Sequence, residues 1–405
     1  MRRLLDSSYD AAVRDNLIPL TVTRIAANMC YRFAPPFIAI IAGEAQGFDV
    51  SITRVGLVIS ISELAGFLAP LLGNFVDRVS RRTSLAVGLF GSFLGIMMMA
   101  AAPNLVVLCI GLTLLNLLKS CFDLGMAAWI SDRVPYDRRG RVVGITETSW
   151  ALSFLLGVSA LGVITAATSW RVASVVGGLC IAICAIWLDR RIHAAGNVVA
   201  SPHHVAPAVG RMSRRDWLVP LSMFGLMGGS QCLFVTFGAW LTDDFSFGAN
   251  GIAAVGFALG AGELLSSISS ARLTDRIGKE RSVALGAGVM IPSALALAGF
   301  DSVLPLGLLA LAIFIIGFEY AVVSMLPIAT NLVASAPGKG FGLVIGAGTF
   351  GRGVLTFIAT ALYEWSGITG AAIASIACAV LSAGTILAFT SLKSSHSLTR
   401  HLQNP

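Results

Sequence analysis

Predominantly apolar stretches recur along the whole chain, separated by short polar connections. Each stretch holds roughly twenty residues, the length at which an α-helix crosses ~30 Å of hydrocarbon. The pattern therefore predicts a protein that crosses the bilayer about twelve times. The predicted spans are 17–42, 53–72, 84–102, 105–130, 142–165, 170–189, 216–241, 252–271, 282–300, 303–329, 341–363 and 369–391.

The composition agrees with a membrane protein and gives no sign of catalysis. Hydrophobic residues make up 56% of the chain and charged residues only 12%, about half of the roughly 25% that is usual in soluble domains. The seven cysteines lie in or beside apolar spans, without the histidines or carboxylates that a metal site needs. We therefore expect no enzyme activity, no catalytic residues, no cofactor and no bound metal.

The net charge of +7 is distributed unevenly among the connections. Alternate connections on one side, together with both termini, hold 22 of the 28 Lys and Arg residues, whereas the other side holds only Arg54 and Arg171. Since basic residues accumulate on the cytoplasmic side, this asymmetry predicts that both termini are cytoplasmic. The positive charge orients the chain in the bilayer, so no nucleic-acid partner is expected.

One long polar connection, residues 190–215, divides the predicted spans into six before it and six after it. The two halves repeat weakly, because Gly56 and Glu63 align with Gly256 and Glu263 at an offset of 200 residues. Internal repeats of this kind are typical of secondary transporters. The predicted segments are a cytoplasmic N-terminal segment 1–16, a six-helix bundle 17–189, a cytoplasmic linker 190–215, a six-helix bundle 216–391 and a cytoplasmic tail 392–405.

A charged motif, GNFVDRVSRR (73–82), follows the second span, and a degenerate copy, ARLTDRIGKE (271–280), follows the eighth. The first copy resembles the signature loop of the major facilitator superfamily, G-x-L-x-D-R-x-G-R-R/K, from which Phe75 and Ser80 depart. Glycine permits close helix contact, and the charged groups can join helix ends through ion pairs. The resemblance implies a latch on a cytoplasmic gate, formed by Gly73, Asp77, Arg78, Arg81, Arg82, Asp275, Arg276, Gly278 and Lys279. The alternative is that the arginines only orient the chain.

The resemblance covers almost the whole chain and implies an all-α membrane protein of two pseudosymmetric six-helix bundles. It also implies a secondary active transporter, which moves a small organic solute by alternating access around a central cavity. Segments 132–150 and 238–245 are similar to a branch of bacterial efflux permeases, which favours proton-coupled export across the inner membrane of a prokaryote. The expected partners are a small-molecule substrate, protons and the lipid bilayer, and the chain is expected to be a monomer.

Nine ionisable residues interrupt the apolar spans, five of them acids and four of them bases. Each charge at the centre of a span costs about 2.5–3.5 kcal/mol, so these residues must line a cavity or pair. One acid is in excess, and a carboxylate in a poorly hydrated site has the raised pKa that a proton-coupling group requires. We expect Glu147 or Glu319 to couple protons, among the candidates Glu63, Asp123, Glu147, Glu263 and Glu319. For each of them a permanent ion pair between helices is the alternative.

Polar groups for the substrate cavity are expected mainly on the first span. Arg24, Asn28 and Arg32 follow i, i+4, i+8 spacing and share one helix face, below the kink or helix end predicted at Pro35-Pro36. The i, i+4 spacing of Lys119 and Asp123 lets them neutralise each other. The expected cavity residues are Arg24, Asn28, Arg32, Lys119, Gln231 and Arg352, and the basic ones suit an anionic moiety.

Two other functions fit the same sequence. The first is proton-driven uptake of a sugar or an organic acid, because residues 147–165 lack the Gly-Pro step that many exporters of the superfamily carry in the fifth span. The second is a membrane sensor or lipid-handling protein that binds its ligand without a transport cycle. The sequence does not name the substrate, because specificity depends on the mutual positions of a few cavity side chains.

Overall fold

The structure is helical, and no strand occurs among the residues that it describes. The computed structural model describes residues 5, 9–194, 212–333 and 337–403. Most of the predicted linker and parts of both terminal segments therefore lie outside the described residues. Some side chains within these ranges also lie outside the described part of the structure, among them Asp77 and Asp275 of the predicted gate. They are those at 69, 70, 74, 77, 136, 137, 140, 193–194, 271, 275, 337–339 and 393–403.

Fourteen helices occur in the described residues. They are α1 (Ala11–Phe33), α2 (Ile38–Ala42), α3 (Ile52–Leu64), α4 (Ala69–Arg78), α5 (Arg81–Ala101), α6 (Leu105–Arg133), α7 (Tyr136–Leu152), α8 (Ser159–Ala167), α9 (Trp170–Ala194), α10 (Leu218–Phe245), α11 (Ala249–Ile277), α12 (Lys279–Gly299), α13 (Leu304–Asn331) and α14 (Pro337–Gln403). A 3₁₀ turn, Ala65–Leu68, joins α3 to α4, and a π-helical segment, Ser153–Val158, joins α7 to α8.

Across the described ranges, nine helices are long and apolar enough to cross a membrane. The last one, Gly340–Leu392, contains both of the final predicted spans, since Ser366 and Gly367 depart from helical geometry between them. Gly367 has φ +65°, a conformation that favours glycine and ends the first of the two. The first two predicted spans are also helical, although they are interrupted. The helices confirm an all-α, multi-pass membrane protein and are consistent with twelve spans.

Prolines account for the interruptions in the first two predicted spans. Helix α1 ends at Phe33, directly before Pro35-Pro36, as the sequence predicts. The second predicted span, 53–72, is not one regular helix, because Pro70 stands in the first turn of α4, after the 3₁₀ turn. Proline has no N–H to donate to the preceding turn, so it is tolerated best at the start of a helix. Helices α1, α12 and α13 nevertheless continue past the internal prolines Pro19, Pro292 and Pro327.

Contacts divide the chain into two compact units. The first unit comprises Met1–His204 and Phe247–Ala261, and the second comprises Val205–Ser246 and Gly262–Pro405. In the first unit α5 packs along α6 and α9, and α1 packs against α7 and α9. In the second unit α10 packs along α14, and α12 packs along α13. The division of the sequence into bundles 17–189 and 216–391 stays a prediction.

In each unit a close helix crossing depends on glycine. A Cβ on Gly95 of α5 would lie 2.4 Å from the Leu115 backbone nitrogen of α6. A Cβ on Gly286 of α12 would lie 2.5 Å from the Gly317 carbonyl oxygen of α13. Side chains of ordinary size would push these helices apart, so glycine fixes the close packing of both pairs.

Candidate functional site

The buried charges of α1, α6 and α7 meet at Arg24. Its Nε donates to Asp123 Oδ1 at 3.1 Å, and its Nη1 donates to Glu147 Oε1 at 2.8 Å and to the Thr146 carbonyl oxygen at 3.1 Å. The Arg24 side chain is 8% exposed, against 24% for Asp123 and 35% for Glu147. One cation on α1 therefore joins a carboxylate on α6 to a carboxylate on α7.

Lys119 of α6 completes the ion-pair cluster. Its Nζ lies 2.7 Å from Asp123 Oδ2, so the pair that the i, i+4 spacing predicts is present. The ammonium also lies 4.9 Å from the ring centroid of Tyr31 and 4.4 Å from that of Trp150, within the range of cation–π attraction. Asp123 is thus shared by two cations, whereas Glu147 makes one ion pair within the described part of the chain.

Aromatic side chains extend this cluster to Glu63 on α3. The Tyr31 hydroxyl donates to the Glu63 carboxylate, whose oxygens lie 3.0 and 2.8 Å away. The Tyr31 and Trp150 rings pack edge to face with centroids 5.9 Å apart. The Arg32 guanidinium lies 4.5 Å from the Phe154 ring centroid and donates to the Trp150 carbonyl oxygen at 2.9 Å. Residues from four predicted spans therefore form one buried network.

The face of α1 predicted from the i, i+4, i+8 spacing packs against α7. Asn28, between Arg24 and Arg32, donates from Nδ2 to Ser149 Oγ at 3.2 Å. Its Oδ1 is buried and has no hydrogen-bond partner among the described residues. The π-helical segment begins just after Trp150, and such segments are frequent at functional sites. The network thus lies beside a point where the helix is irregular.

The charges of this network balance within the first unit. Its acids are Glu63, Asp123 and Glu147, and its bases are Arg24, Arg32 and Lys119. Breaking one buried ion pair leaves an uncompensated charge, which costs about 3–5 kcal/mol. Adding one proton to one carboxylate instead leaves the network with one unit of positive charge. Proton coupling through this network stays a prediction.

The other candidates for proton coupling and for the substrate cavity lie in the second unit. Glu319 of α13 accepts a hydrogen bond from Ser267 Oγ of α11. Glu263 and Gln231 are each 2% exposed, and the Gln231 amide nitrogen has no hydrogen-bond partner among the described residues. Arg352 lies on α14, where its side chain is half-buried. The assignments of these residues to proton coupling or to a cavity stay predictions.

The first copy of the predicted gate motif forms ion pairs at the ends of α6 and α9. Arg81 donates from Nε to Asp132 Oδ2 at 2.8 Å and from Nη1 to the Val76 carbonyl oxygen at 2.9 Å. Arg82 binds Asp189 through two hydrogen bonds of 2.6 and 2.7 Å. These bonds join helix ends, as the motif chemistry predicts, although a gating role is not tested by them.

The second copy uses glycine where the first uses serine. Gly278 has φ +98°, a conformation that side chains disfavour, at the start of α12. Ser80 at the equivalent place has φ −62°, and its side chain accepts a hydrogen bond from the Thr83 backbone N–H. The departure of Ser80 from the signature is therefore compatible with a normal helix cap. Gly73, Arg78, Arg276 and Lys279 lie in these two motif segments.

Sequence reasoning missed several residues of the network and of the motif. Tyr31 and Trp150 look like ordinary apolar positions of a span, and only their positions three residues after Asn28 and Glu147 place them on the polar helix faces. The motif partners Asp132 and Asp189 stand at span ends, where an acid is unremarkable in sequence. Long-range pairing could not be read from these positions alone. Over the described residues, no group of three or more His, Cys, Asp or Glu could hold a metal ion.

Comparison with known proteins identifies relatives along most of the chain. The sequence model described as Major Facilitator Superfamily matches residues 20–360. The chain is 29% identical to the MFS-type transporter YwfA of Bacillus subtilis (strain 168) over 253 residues, which are 61% of each chain. It is 26% identical to the MFS-type transporter YqjV of the same organism over 212 residues, 51% of each chain. The matched part is less than two thirds of the length of each relative.

Solved structures resemble the whole fold. A bacterial homologue of the human lysosomal transporter Spinster, in an inward-facing and unoccupied conformation, has a TM-score of 0.72 at 12% identity, covering 94% of this chain and 96% of its own. A bacterial homologue of the iron transporter ferroportin, in an inward-facing state, has a TM-score of 0.69 at 14% identity, covering 94% of this chain and 98% of its own. At these identities the likeness establishes the fold alone.

Proposed function

The chain belongs to the Major Facilitator Superfamily and is a membrane transporter, and we propose that it exports a small organic solute by alternating access in exchange for protons. The observation that carries this proposal is the position of Arg24 between Asp123 and Glu147 inside the membrane-spanning helices. Buried charges in spans are costly and mark ion or substrate pathways. The proposed location is the cytoplasmic membrane of a prokaryote, with both termini in the cytoplasm.

Glu147 is the proposed proton-coupling residue. Its side chain is more exposed than that of Asp123, 35% against 24%, so a proton reaches it more easily. Protonation of Glu147 breaks one ion pair, whereas protonation of Asp123 weakens two. The cheaper event is therefore the loss of the Arg24–Glu147 pair, with Arg24 still bound to Asp123.

Loss of this ion pair would loosen α1 from α7. Arg24, Asn28 and Arg32 all contact residues 146–150 of α7, so these contacts hold the two helices together. In this proposal the solute binds while these contacts join α1 to α7, and the proton binds while the two helices are apart. The solute and the proton therefore exclude one another. Mutual exclusion of the two ligands is the condition for exchange, and it explains why the site keeps a cation between two acids.

A compound-transport assay in membrane vesicles tests the function and its direction. The full chain is expressed in a bacterial host, and everted vesicles carry a proton gradient reported by a fluorescent ΔpH dye. We expect some compounds of a metabolite and drug panel to accumulate in the everted vesicles and to dissipate the gradient as they do. Vesicles from cells with an empty vector are the background.

Three other results would each overturn part of the proposal. Accumulation only in right-side-out vesicles would establish uptake, the alternative that the sequence leaves open. Binding of a compound to purified protein, without counterflow in proteoliposomes, would indicate a sensor or lipid-handling protein. Accumulation that persists after the proton gradient is collapsed would exclude proton coupling.

A further inference from the structure

A groove on the second unit is open toward the outside of the helices α11, α12 and α13. It consists of two adjoining cavities of about 390 and 260 Å³, which share Ser269 and Leu273. We call it the α11–α13 groove. One end is lined by Ile268, Arg272 and Arg276, and the other by Leu265, Leu285, Val289, Ile316 and Tyr320.

One stripe of α11 lines the groove along its length. Leu265, Ser269, Arg272 and Arg276 recur three or four residues apart and therefore lie on one helix face. Helices α12 and α13 cross closely at Gly286 and Gly317, and both glycines line the groove. The wall of the groove at this crossing is therefore backbone instead of side chains. Leu265 and Leu285 are 65% and 54% exposed, so apolar surface faces the bilayer here.

Two exposed arginines make the polar end of the groove positively charged. Both Arg272 and Arg276 are exposed, and among the side chains that the structure describes no carboxylate forms an ion pair with either guanidinium. Guanidinium groups bind phosphate oxygens through paired hydrogen bonds. Two of them four residues apart on one face offer a site for one phosphate.

The length of the groove fits half of a bilayer. The eleven residue steps from Leu265 to Arg276 rise about 16 Å along α11, close to half of the ~30 Å hydrocarbon core. An apolar groove of one-leaflet length, with a cationic end where the repeated motif stands, matches the shape and charge of a lipid. A water-soluble anion without an acyl chain would not cover the exposed leucines.

We propose that the α11–α13 groove binds an anionic phospholipid, with its phosphate between Arg272 and Arg276 and an acyl chain along Leu265, Leu285 and Ile316. The lipid would belong to the leaflet nearest the second motif copy. Binding there covers apolar surface of α11, α12 and α13 together, so the lipid stabilises the second unit. This inference does not depend on the transported substrate or on proton coupling.

Native mass spectrometry of the purified full chain tests the proposal with dioleoyl phosphatidylglycerol and dioleoyl phosphatidylcholine as probes. We expect phosphatidylglycerol to bind more tightly than phosphatidylcholine and to raise the unfolding temperature more. The double variant Arg272→Gln with Arg276→Gln should bind phosphatidylglycerol roughly 30-fold more weakly, about fivefold for each basic group near an anionic lipid. Arg281→Gln, an exposed change at the start of α12 that does not line the groove, should keep the preference.

A second variant tests the apolar part of the groove. Ser269→Trp fills the point where the two cavities meet, at an exposed position, and leaves both arginines intact. It should also weaken phosphatidylglycerol binding. Four results would each overturn the proposal. They are equal binding of the two lipids, an unchanged preference in the double arginine variant, unchanged phosphatidylglycerol binding by Ser269→Trp, and full competition by glycerol phosphate without acyl chains.

Discussion

A buried ion-pair cluster of the first unit contrasts with a buried hydroxyl cluster of the second. In the first unit Arg24 and Lys119 are bound to Asp123 and Glu147 across three helices. In the second unit a hydroxyl cluster joins α11 to α13, where Ser270, Thr274 and Ser324 lie 2.8 to 3.1 Å from one another. Hydroxyl groups keep the same charge at every physiological pH, whereas carboxylates gain or lose it. Of these two clusters only the one in the first unit contains carboxylates, which is why the proposed proton response is placed there.

The buried charges of the spans are divided unevenly between the two units. The six charges of the first network balance. The one excess acid among the nine charged residues of the spans therefore falls in the second unit, which has Glu263 and Glu319 against Arg352. Glu147 is therefore not an excess acid. It is the most exposed carboxylate of a balanced cluster, and it makes one ion pair there, whereas Asp123 makes two.

Loss of the shared cation should be the largest effect on stability. Arg24→Gln leaves Asp123 and Glu147 with one fewer buried cation, so we expect the free energy of unfolding to fall by about 3–5 kcal/mol. Denaturant unfolding in detergent measures it, with the exposed Arg54→Gln as the control. Adding Glu147→Gln to Arg24→Gln should restore part of the loss. No recovery in the double variant would contradict the ion-pair account.

The glycine crossings should behave alike in both units. Gly95→Ala and Gly286→Ala each place a Cβ within 2.5 Å of backbone atoms, so each should cost about 1–3 kcal/mol by overpacking. Gly144→Ala and Gly288→Ala are matched controls, since nothing lies within 4 Å of the added Cβ. The same unfolding measurement applies. A loss in one unit only would show that the two crossings are not equivalent.

Exchanging the motif residues should affect the second copy more than the first. Gly278→Ser forces a side chain into φ +98° and should cost about 1–3 kcal/mol. Ser80→Gly removes the cap to the Thr83 N–H and should cost only a few tenths of a kcal/mol. Thermal unfolding of both variants measures the difference. Equal losses would mean that the backbone conformation of Gly278 does not explain its presence.

Removal of one hydroxyl from the second unit should have the smallest effect. Ser324→Ala breaks its bonds to Ser270 and Thr274, which can still bond to each other, so we expect a loss of about 1 kcal/mol. Ser302→Ala, at an exposed turn, is the control. A loss as large as that of Arg24→Gln would remove the distinction between charged and hydroxyl clusters.

Most of the fold could be predicted because the apolar spans and the double proline have local signatures. Pro35-Pro36 marks the end of α1, and the predicted gap between the last two spans contains the break at Ser366 and Gly367. The π-helical segment Ser153–Val158 has no such signature. It depends on packing against other helices, so hydrophobic periodicity could not reveal it.

Spacing predicts only part of the candidate site. The shared face of Arg24, Asn28 and Arg32 and the Lys119–Asp123 pair follow from helical geometry, which a sequence carries. The pairing of Arg24 with Glu147 joins residues 123 positions apart, and the Tyr31–Glu63 bond joins two different helices. Such pairings depend on how helices pack, which the pattern of apolar positions does not specify.

The most direct test of proton coupling through Glu147 is gradient-driven accumulation in everted vesicles of the compound with the strongest signal. We expect accumulation by the unchanged chain and by Glu44→Gln, an exposed carboxylate outside the network, and none by Glu147→Gln or after nigericin collapses the proton gradient. Equal protein amounts are verified in each vesicle preparation. Undiminished, gradient-dependent accumulation by Glu147→Gln would contradict the account.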